Sequence, residues 1–178
     1  PAIVDWSPAP ALLAGEMAFV LGNDVPFLPS IDSLSKEKII LFVDLEGFTR
    51  LSETLKLQQI TDLLNECFST VVAIIERHRG VVTQFQGDAI LGIFNVPVSD
   101  SDHVGNAVKA AKQIYAATSQ REFAGHQFAI RVGVNTGEVF AGNVGARDRL
   151  SYTVHGDAVN MAARLEAMNK EFGTRILI

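Results

Sequence analysis

Two aspartates in this chain close apolar runs beside turn residues. Asp44 ends Ile39-Ile40-Leu41-Phe42-Val43 and precedes Glu46-Gly47-Phe48-Thr49. Asp88 follows Gly87 between Val81–Phe85 and Ala89–Phe94. Paired carboxylates that meet at one edge repel unless something neutralises them. Hydrated Mg²⁺ takes one or two carboxylates and completes its shell with water and substrate phosphate oxygens. Gly47-Phe48-Thr49 offers free backbone N–H groups where the chain enters a helical segment, which suits phosphate. Either aspartate alone reads as an ordinary turn residue. Their convergence with the Gly-Phe-Thr turn favours a shared site for a nucleotide and two metal ions.

The convergence follows from the elements between them. The run Ile39–Val43 is β-branched and aromatic in all but one position and suits a buried strand. From Gln58 to Arg79, Ile60, Leu63, Leu64, Cys67, Phe68, Val71, Val72 and Ile75 recur at helical spacing, and Gly80 is placed to end the helix as its C′ residue. Val81–Phe85 and Ala89–Phe94 read as strands joined tightly at Gln86-Gly87-Asp88. Strand, helix, strand is a crossover unit, so the first two strands run parallel and end at one edge of the sheet. Both aspartates then reach that edge.

Composition narrows the partners. The chain has 178 residues, 48% hydrophobic and 20% charged, which suits one soluble domain with a sizeable core. A net charge of −5 argues against a nucleic-acid polymer or an anionic membrane surface, though not against a single nucleotide. The one cysteine, Cys67, lies on the apolar helix stripe and reads as a small buried residue. No segment reaches the ~20 apolar residues of a membrane span. These features suit a cytoplasmic protein, or a cytoplasmic domain of a larger one. Pro1 at the start and the apolar Ile176-Leu177-Ile178 at the end give the chain the look of a piece of something longer.

Five of the six prolines fall within the first 29 residues, so residues 1–36 read as an N-terminal extension or linker and 37–178 as the domain. Ser99–Asp102 supplies cap residues for a helix His103–Thr118. Phe128–Val134 and Glu138–Val144 read as strands of a hairpin turning at Asn135-Thr136-Gly137. Gly145–Leu150 is a polar, basic loop before the short strand Tyr152–Val154. Asp157 is placed to cap a helix Ala158–Lys170, and Thr174–Ile178 reads as a last strand. On that helix Asn160 and Arg164 are i, i+4 neighbours. Asn offers a donor and an acceptor, and Arg a planar fork suited to phosphate. On spacing alone, a solvated helix face is the simpler account of the pair.

Four blocks in collinear order carry a resemblance: Phe42–Thr49, Phe85–Ala89, Arg131–Gly137 and Gly156–Arg164. Over about residues 38–178 the chain resembles the class III nucleotidyl cyclase catalytic domain. The resemblance implies a ferredoxin-like α/β (α+β) fold with a mostly antiparallel sheet and flanking helices. It implies Asp44 and Asp88 as ligands of two Mg²⁺ or Mn²⁺ ions, with the Leu45 carbonyl as a further ligand. Gly47, Phe48 and Thr49 would meet the phosphates, Asn160 would orient the ribose, and Arg164 would stabilise charge developing on the α-phosphate. It also implies a head-to-tail homodimer with sites at the interface, the aspartates from one chain and Asn160 and Arg164 from the other.

Two departures bear on substrate. Adenylate cyclases of the family usually place Lys four residues before the second metal aspartate, and Asp or Thr at the position of Thr153; guanylate cyclases tend to have Glu and Cys. Here the pair is Gln84 and Thr153. Thr153 fits some bacterial adenylate cyclases, whereas a Gln84 amide free to turn offers donor or acceptor and does not decide. The family's basic residue for the triphosphate belongs to a strand beyond Ile178. The expected activity is conversion of ATP to 3′,5′-cyclic AMP and pyrophosphate by two-metal-ion catalysis. Cyclisation of GTP is the alternative within the class, and a non-catalytic sensor or dimerisation module is the alternative outside it.

Overall fold

The computed structural model of the chain describes residues 37–146 and 149–178. The expected N-terminal extension, residues 1–36, lies outside them, as does Arg147 of the expected basic loop. The elements in chain order are β1 (Lys38–Glu46), α1 (Phe48–Thr54), α2 (Leu57–Arg77), β2 (Gly80–Gln86), β3 (Ala89–Phe94), α3 (His103–Ser119), β4 (Ala129–Gly137), β5 (Phe140–Ala146), β6 (Arg149–His155), α4 (Asp157–Phe172) and β7 (Ile176–Leu177).

The main sheet has the order β2-β3-β1-β4-β7, and β5 and β6 form a separate two-stranded sheet. β1 is antiparallel to both β3 and β4, β3 is antiparallel to β2, and only β7 joins in parallel. The first four strands with α2 and α3 make the ferredoxin-like arrangement. The expected parallel direction of β1 and β2 holds, with β3 inserted between them.

Alternation along β1 divides the core. Ile39, Leu41, Val43 and Leu45 pack with Leu63, Cys67, Val71 and Ile75 of α2 and Ala107, Ala111 and Ile114 of α3. Ile40 faces the other way, with Leu91 and Ile93, onto Ala158 and Ala162 of α4 and Val139, Ala141 and Val154 at the small sheet. Residues of one strand alternate between faces, so Asp44 belongs to the second face, toward α4.

Three local expectations are corrected. Asn135-Thr136-Gly137 does not turn a hairpin: β4 stays in the main sheet beside β1, and β5 pairs with β6 instead. Gly80 is not the residue that ends α2; Arg79 takes the left-handed conformation, φ 65°, and Gly80 begins β2 with Ile75 and Phe94 closing over it. α4 begins at Asp157 with Gly156 at its cap position, so Asp157 is a first-turn acid rather than the cap.

Helix α4 lies unusually close to β4. A Cβ built on Gly133 would stand 2.0 Å from the Ala162 carbonyl oxygen and 2.5 Å from the Glu166 nitrogen. Asn135 Nδ2 donates to the Ala158 carbonyl at 3.1 Å, and Asn169 Nδ2 donates to the Val132 carbonyl at 3.0 Å, so the helix is tied to the strand near both ends. Gly133→Ala therefore forces backbone apart rather than displacing a flexible side chain. It should lower unfolding stability by about 3 kcal/mol, at the upper end for overpacking. Chemical denaturation of the two proteins measures this, and an unchanged midpoint would show that α4 does not sit this close.

Candidate active site

The two aspartates meet as the strand directions require. Asp44 pairs across the β1–β3 ladder with Ala89, the residue after Asp88. That ladder ends there, while the β1–β4 ladder runs on through Leu45 to Glu46. Leu45 thus lies just past the end of its pairing with β3, its side chain buried at 1% exposure. Gly87 makes the β2–β3 turn with φ 63°. Gly47, φ 78°, opens the short helix α1, whose first N–H groups receive no side-chain cap.

Sequence reasoning missed a third component. Arg131 stands opposite Asp44 in the β1–β4 register. Its Nη2 donates to Asp44 Oδ2 at 2.7 Å, and its Nε donates to Glu166 Oε1 of α4 at 2.7 Å. The three side chains are 16%, 19% and 9% exposed for Arg131, Asp44 and Glu166. A signal existed: Arg131 interrupts the otherwise apolar run Phe128–Val134, and Glu166 continues the inward stripe Ala158, Ala162 at helical spacing. Either oddity alone is common.

The charges explain the local titration. Burial lifts the Asp44 pKa above its ordinary value; the Arg131 hydrogen bond pulls it back, and the charge of Asp88 pushes it up. Glu166 is raised first by burial and then by the charge of Asp44. Burial works to lower Arg131, yet the hydrogen bond to Asp44 and the charges of Glu166 and Asp44 outweigh it and hold the guanidinium above its usual value. Negative charge exceeds positive here, and an added cation would be welcome. Among the described residues no group of three or more His, Cys, Asp or Glu side chains is arranged to hold a metal. Two carboxylates, with water and phosphate oxygens as the remaining ligands, fit the habit of Mg²⁺.

A β-bulge aims Gln84. On β2, Val82 pairs with Gly92 and Gln84 with Leu91, so Thr83 is the extra residue. Were Thr83 paired in regular alternation, with no bulge, Gln84 would share the face of buried Val82, beneath α2. With the bulge Phe85 takes that face and stacks on Phe68 of α2 at 4.9 Å between ring centres. Gln84 turns to the opposite face, where its Nε2 donates to Thr153 Oγ1 of β6 at 2.6 Å. The two sequence-selected residues, 69 positions apart, are thus in direct contact. Gln86 Nε2 also donates to Gln84 Oε1 at 2.7 Å, so the amide is hydrogen-bonded at both ends.

Asn160 and Arg164 lie elsewhere. Both are exposed on α4, on the face away from buried Ala158, Ala162, Glu166 and Asn169. Among the described residues neither makes a hydrogen bond or ion pair with Asp44 or Asp88. The same outer face carries Met161, Met168 and Phe172, exposed at 42%, 37% and 62%.

Comparison with known proteins gives this arrangement its class. The family model described as the adenylate and guanylate cyclase catalytic domain matches residues 32–176. Adenylate cyclase 1 of Rhizobium meliloti (strain 1021) is 36% identical over 147 residues, covering 80% of this chain and 22% of that protein. The guanylate cyclase domain of RhGC from Catenaria anguillulae, solved in complex with GTP, superposes with a TM-score of 0.71 at 30% identity, covering 74% of this chain and 72% of the other. A bacterial light-regulated adenylyl cyclase superposes with a TM-score of 0.71 at 32% identity, covering 79% and 42%. The chain belongs to the adenylate and guanylate cyclase catalytic-domain family, and its mixed fold with a mostly antiparallel sheet matches the solved members. Domains of this family work with divalent metal ions. The chain spans about a fifth to a quarter of the length of most of the curated relatives it matches, and 7% of one. No helix among the described residues is long and apolar enough to cross a membrane.

The Asp44–Arg131–Glu166 bridge makes a testable demand. Arg131→Met leaves two facing carboxylates without their cation and should cost about 3 kcal/mol of stability near neutral pH. In the variant both carboxylates bind protons more tightly when folded than when unfolded. Their destabilising effect is therefore full above the raised folded pKa values and fades as pH falls through them. Thermal melts at pH 7 and at about pH 4.5 should show the gap from wild type narrowing at the lower pH. A gap that stays constant would mean that the loss is one of packing.

Proposed function

We propose that the chain is the catalytic domain of an adenylate cyclase, converting ATP to 3′,5′-cyclic AMP and pyrophosphate at a site shared by two chains in a head-to-tail homodimer. The observation that carries the reading is the meeting of Asp44 and Asp88 at one sheet edge, while Asn160 and Arg164 occupy the outer face of α4. The two halves of one constellation point to different surfaces, so a second copy of the chain completes it. Exposed Met161, Met168 and Phe172 around Arg164 suit a protein contact better than solvent.

In this reading Asp44 and Asp88, with the Leu45 carbonyl, hold two Mg²⁺ or Mn²⁺ ions. When bound, these ions supply charge to activate the ribose 3′-hydroxyl and to neutralise the pyrophosphate as it leaves. The backbone at Gly47, Phe48 and Thr49 donates to phosphate oxygens at the start of α1. Arg131 gives Asp44 a fixed orientation in advance of the ions. From the partner chain Asn160 positions the ribose, and Arg164 donates to the α-phosphate oxygens as negative charge builds there. Gln84 and Thr153 face the purine. Relatives at similar distance include both adenylate and guanylate cyclases, and Thr153 tips the reading toward adenine. The domain would act in signal transduction in the cytoplasm or on the cytoplasmic side of a larger protein.

Complementation tests the shared site. Asp44→Ala, Asp88→Ala and Arg164→Ala should each lower the rate more than tenfold, a barrier increase above about 1.4 kcal/mol. Mixing Asp44→Ala with Arg164→Ala protein should restore activity, because one interface of the mixed dimer collects both defects and the other collects neither. Mixed dimers that form and stay silent would overturn the shared site. A single aspartate variant that keeps more than a tenth of the rate would remove that carboxylate from the metal site.

A further inference from the structure

The Gln84 amide is reached from two sides. Gln86 Nε2 donates to Gln84 Oε1 at 2.7 Å, and Gln84 Nε2 donates to Thr153 Oγ1 at 2.6 Å. A primary amide has two N–H donors and two acceptor lone pairs, so one donor and one acceptor of Gln84 remain free. Thr153 is buried, whereas Gln86 is exposed in the last position of β2.

We propose that Gln86 is a specificity-determining positioning residue: by donating to Gln84 Oε1 it sets which end of the Gln84 amide presents oxygen and which presents nitrogen, and thereby which purine the site prefers. This rests on the reading that Gln84 and Thr153 face the base. Along its Watson–Crick edge adenine shows the N6 donor and then the N1 acceptor. Guanine shows the O6 acceptor and then the N1–H donor. The two edges have opposite polarity. An amide can satisfy either with a pair of hydrogen bonds, but only in opposite orientations. A freely turning amide serves both. An amide held at each end matches one base and sets donor against donor and acceptor against acceptor with the other, which leaves buried polar groups unpaired. Thr153 cannot choose between the orientations, because its hydroxyl donates or accepts. Gln86 is an amide as well, but in the structure it turns its Nε2 to Gln84, so the orientation of Gln84 goes with that of Gln86, and a residue there that only donates or only accepts fixes it.

The test is the ratio of kcat/KM for MnATP to that for MnGTP in the full chain. Both nucleotides carry the same triphosphate, so a substitution's effect on phosphate binding cancels in the ratio. Gln86→Lys can only donate, which retains the observed orientation, and should keep or raise the wild-type preference. Gln86→Glu can only accept, which obliges Gln84 to present Nε2 to it and Oε1 to Thr153, and should move the ratio about tenfold toward the other purine. Gln86→Met removes the tie and should bring the ratio toward one. Gln84→Ala separates two kinds of failure. If it moves the ratio while all three Gln86 variants match wild type, Gln84 meets the base and the role of Gln86 is overturned. If it too leaves the ratio unchanged, the purine-facing reading falls and the proposal falls with it. Equal shifts in one direction for Gln86→Lys and Gln86→Glu would also overturn it, since orientation control demands opposite signs.

Discussion

The close approach of α4 to β4 at Gly133 is the constraint on which the site depends. With no side chain between them, the Ala162 carbonyl and the Glu166 amide lie against the strand backbone. That contact brings Glu166 within reach of Arg131, which in turn grips Asp44 on the neighbouring strand. It also fixes the rotation of the helix. With Ala158, Ala162, Glu166 and Asn169 turned inward, Asn160 and Arg164 can only face outward. A helix held farther off could roll and bring either group toward its own sheet. In the proposed reading, the second chain is called for by this packing of one.

The sheet edge itself carries an imbalance of charge. Asp44 and Glu166 share the guanidinium of Arg131, the charge of Asp88 acts on both, and burial raises the two paired acids. Ion pairing alone leaves the edge acidic. An edge proposed to take up cations has reason to remain so, and the arginine offsets part of the carboxylate repulsion without them.

Much of this was legible in the sequence where the cause is local or periodic. The strand–helix–strand unit told that Asp44 and Asp88 share an edge, because it fixes direction whatever strand comes between. The α2 stripe was plain from Leu63, Cys67, Val71 and Ile75. The sequence could not show that β5 leaves β4 for β6: Asn-Thr-Gly is a turn signal, but a turn residue says nothing of which strands pair. Arg131 and Glu166 escaped because their partnership joins positions 35 apart, and each has an ordinary alternative. Gln84 and Thr153 were paired by resemblance to a family; their contact requires the bulge at Thr83, which shifts one residue in the ladder and which no composition rule reveals.

The central claim is that this edge, with these ions, closes a nucleotide on itself. The most direct measurement incubates the purified chain with Mn²⁺ and either ATP or GTP and separates the products. The account predicts cyclic nucleotide and pyrophosphate in equal amounts, with cyclic AMP formed in excess of cyclic GMP. A folded, dimeric protein that makes neither cyclic nucleotide would contradict it.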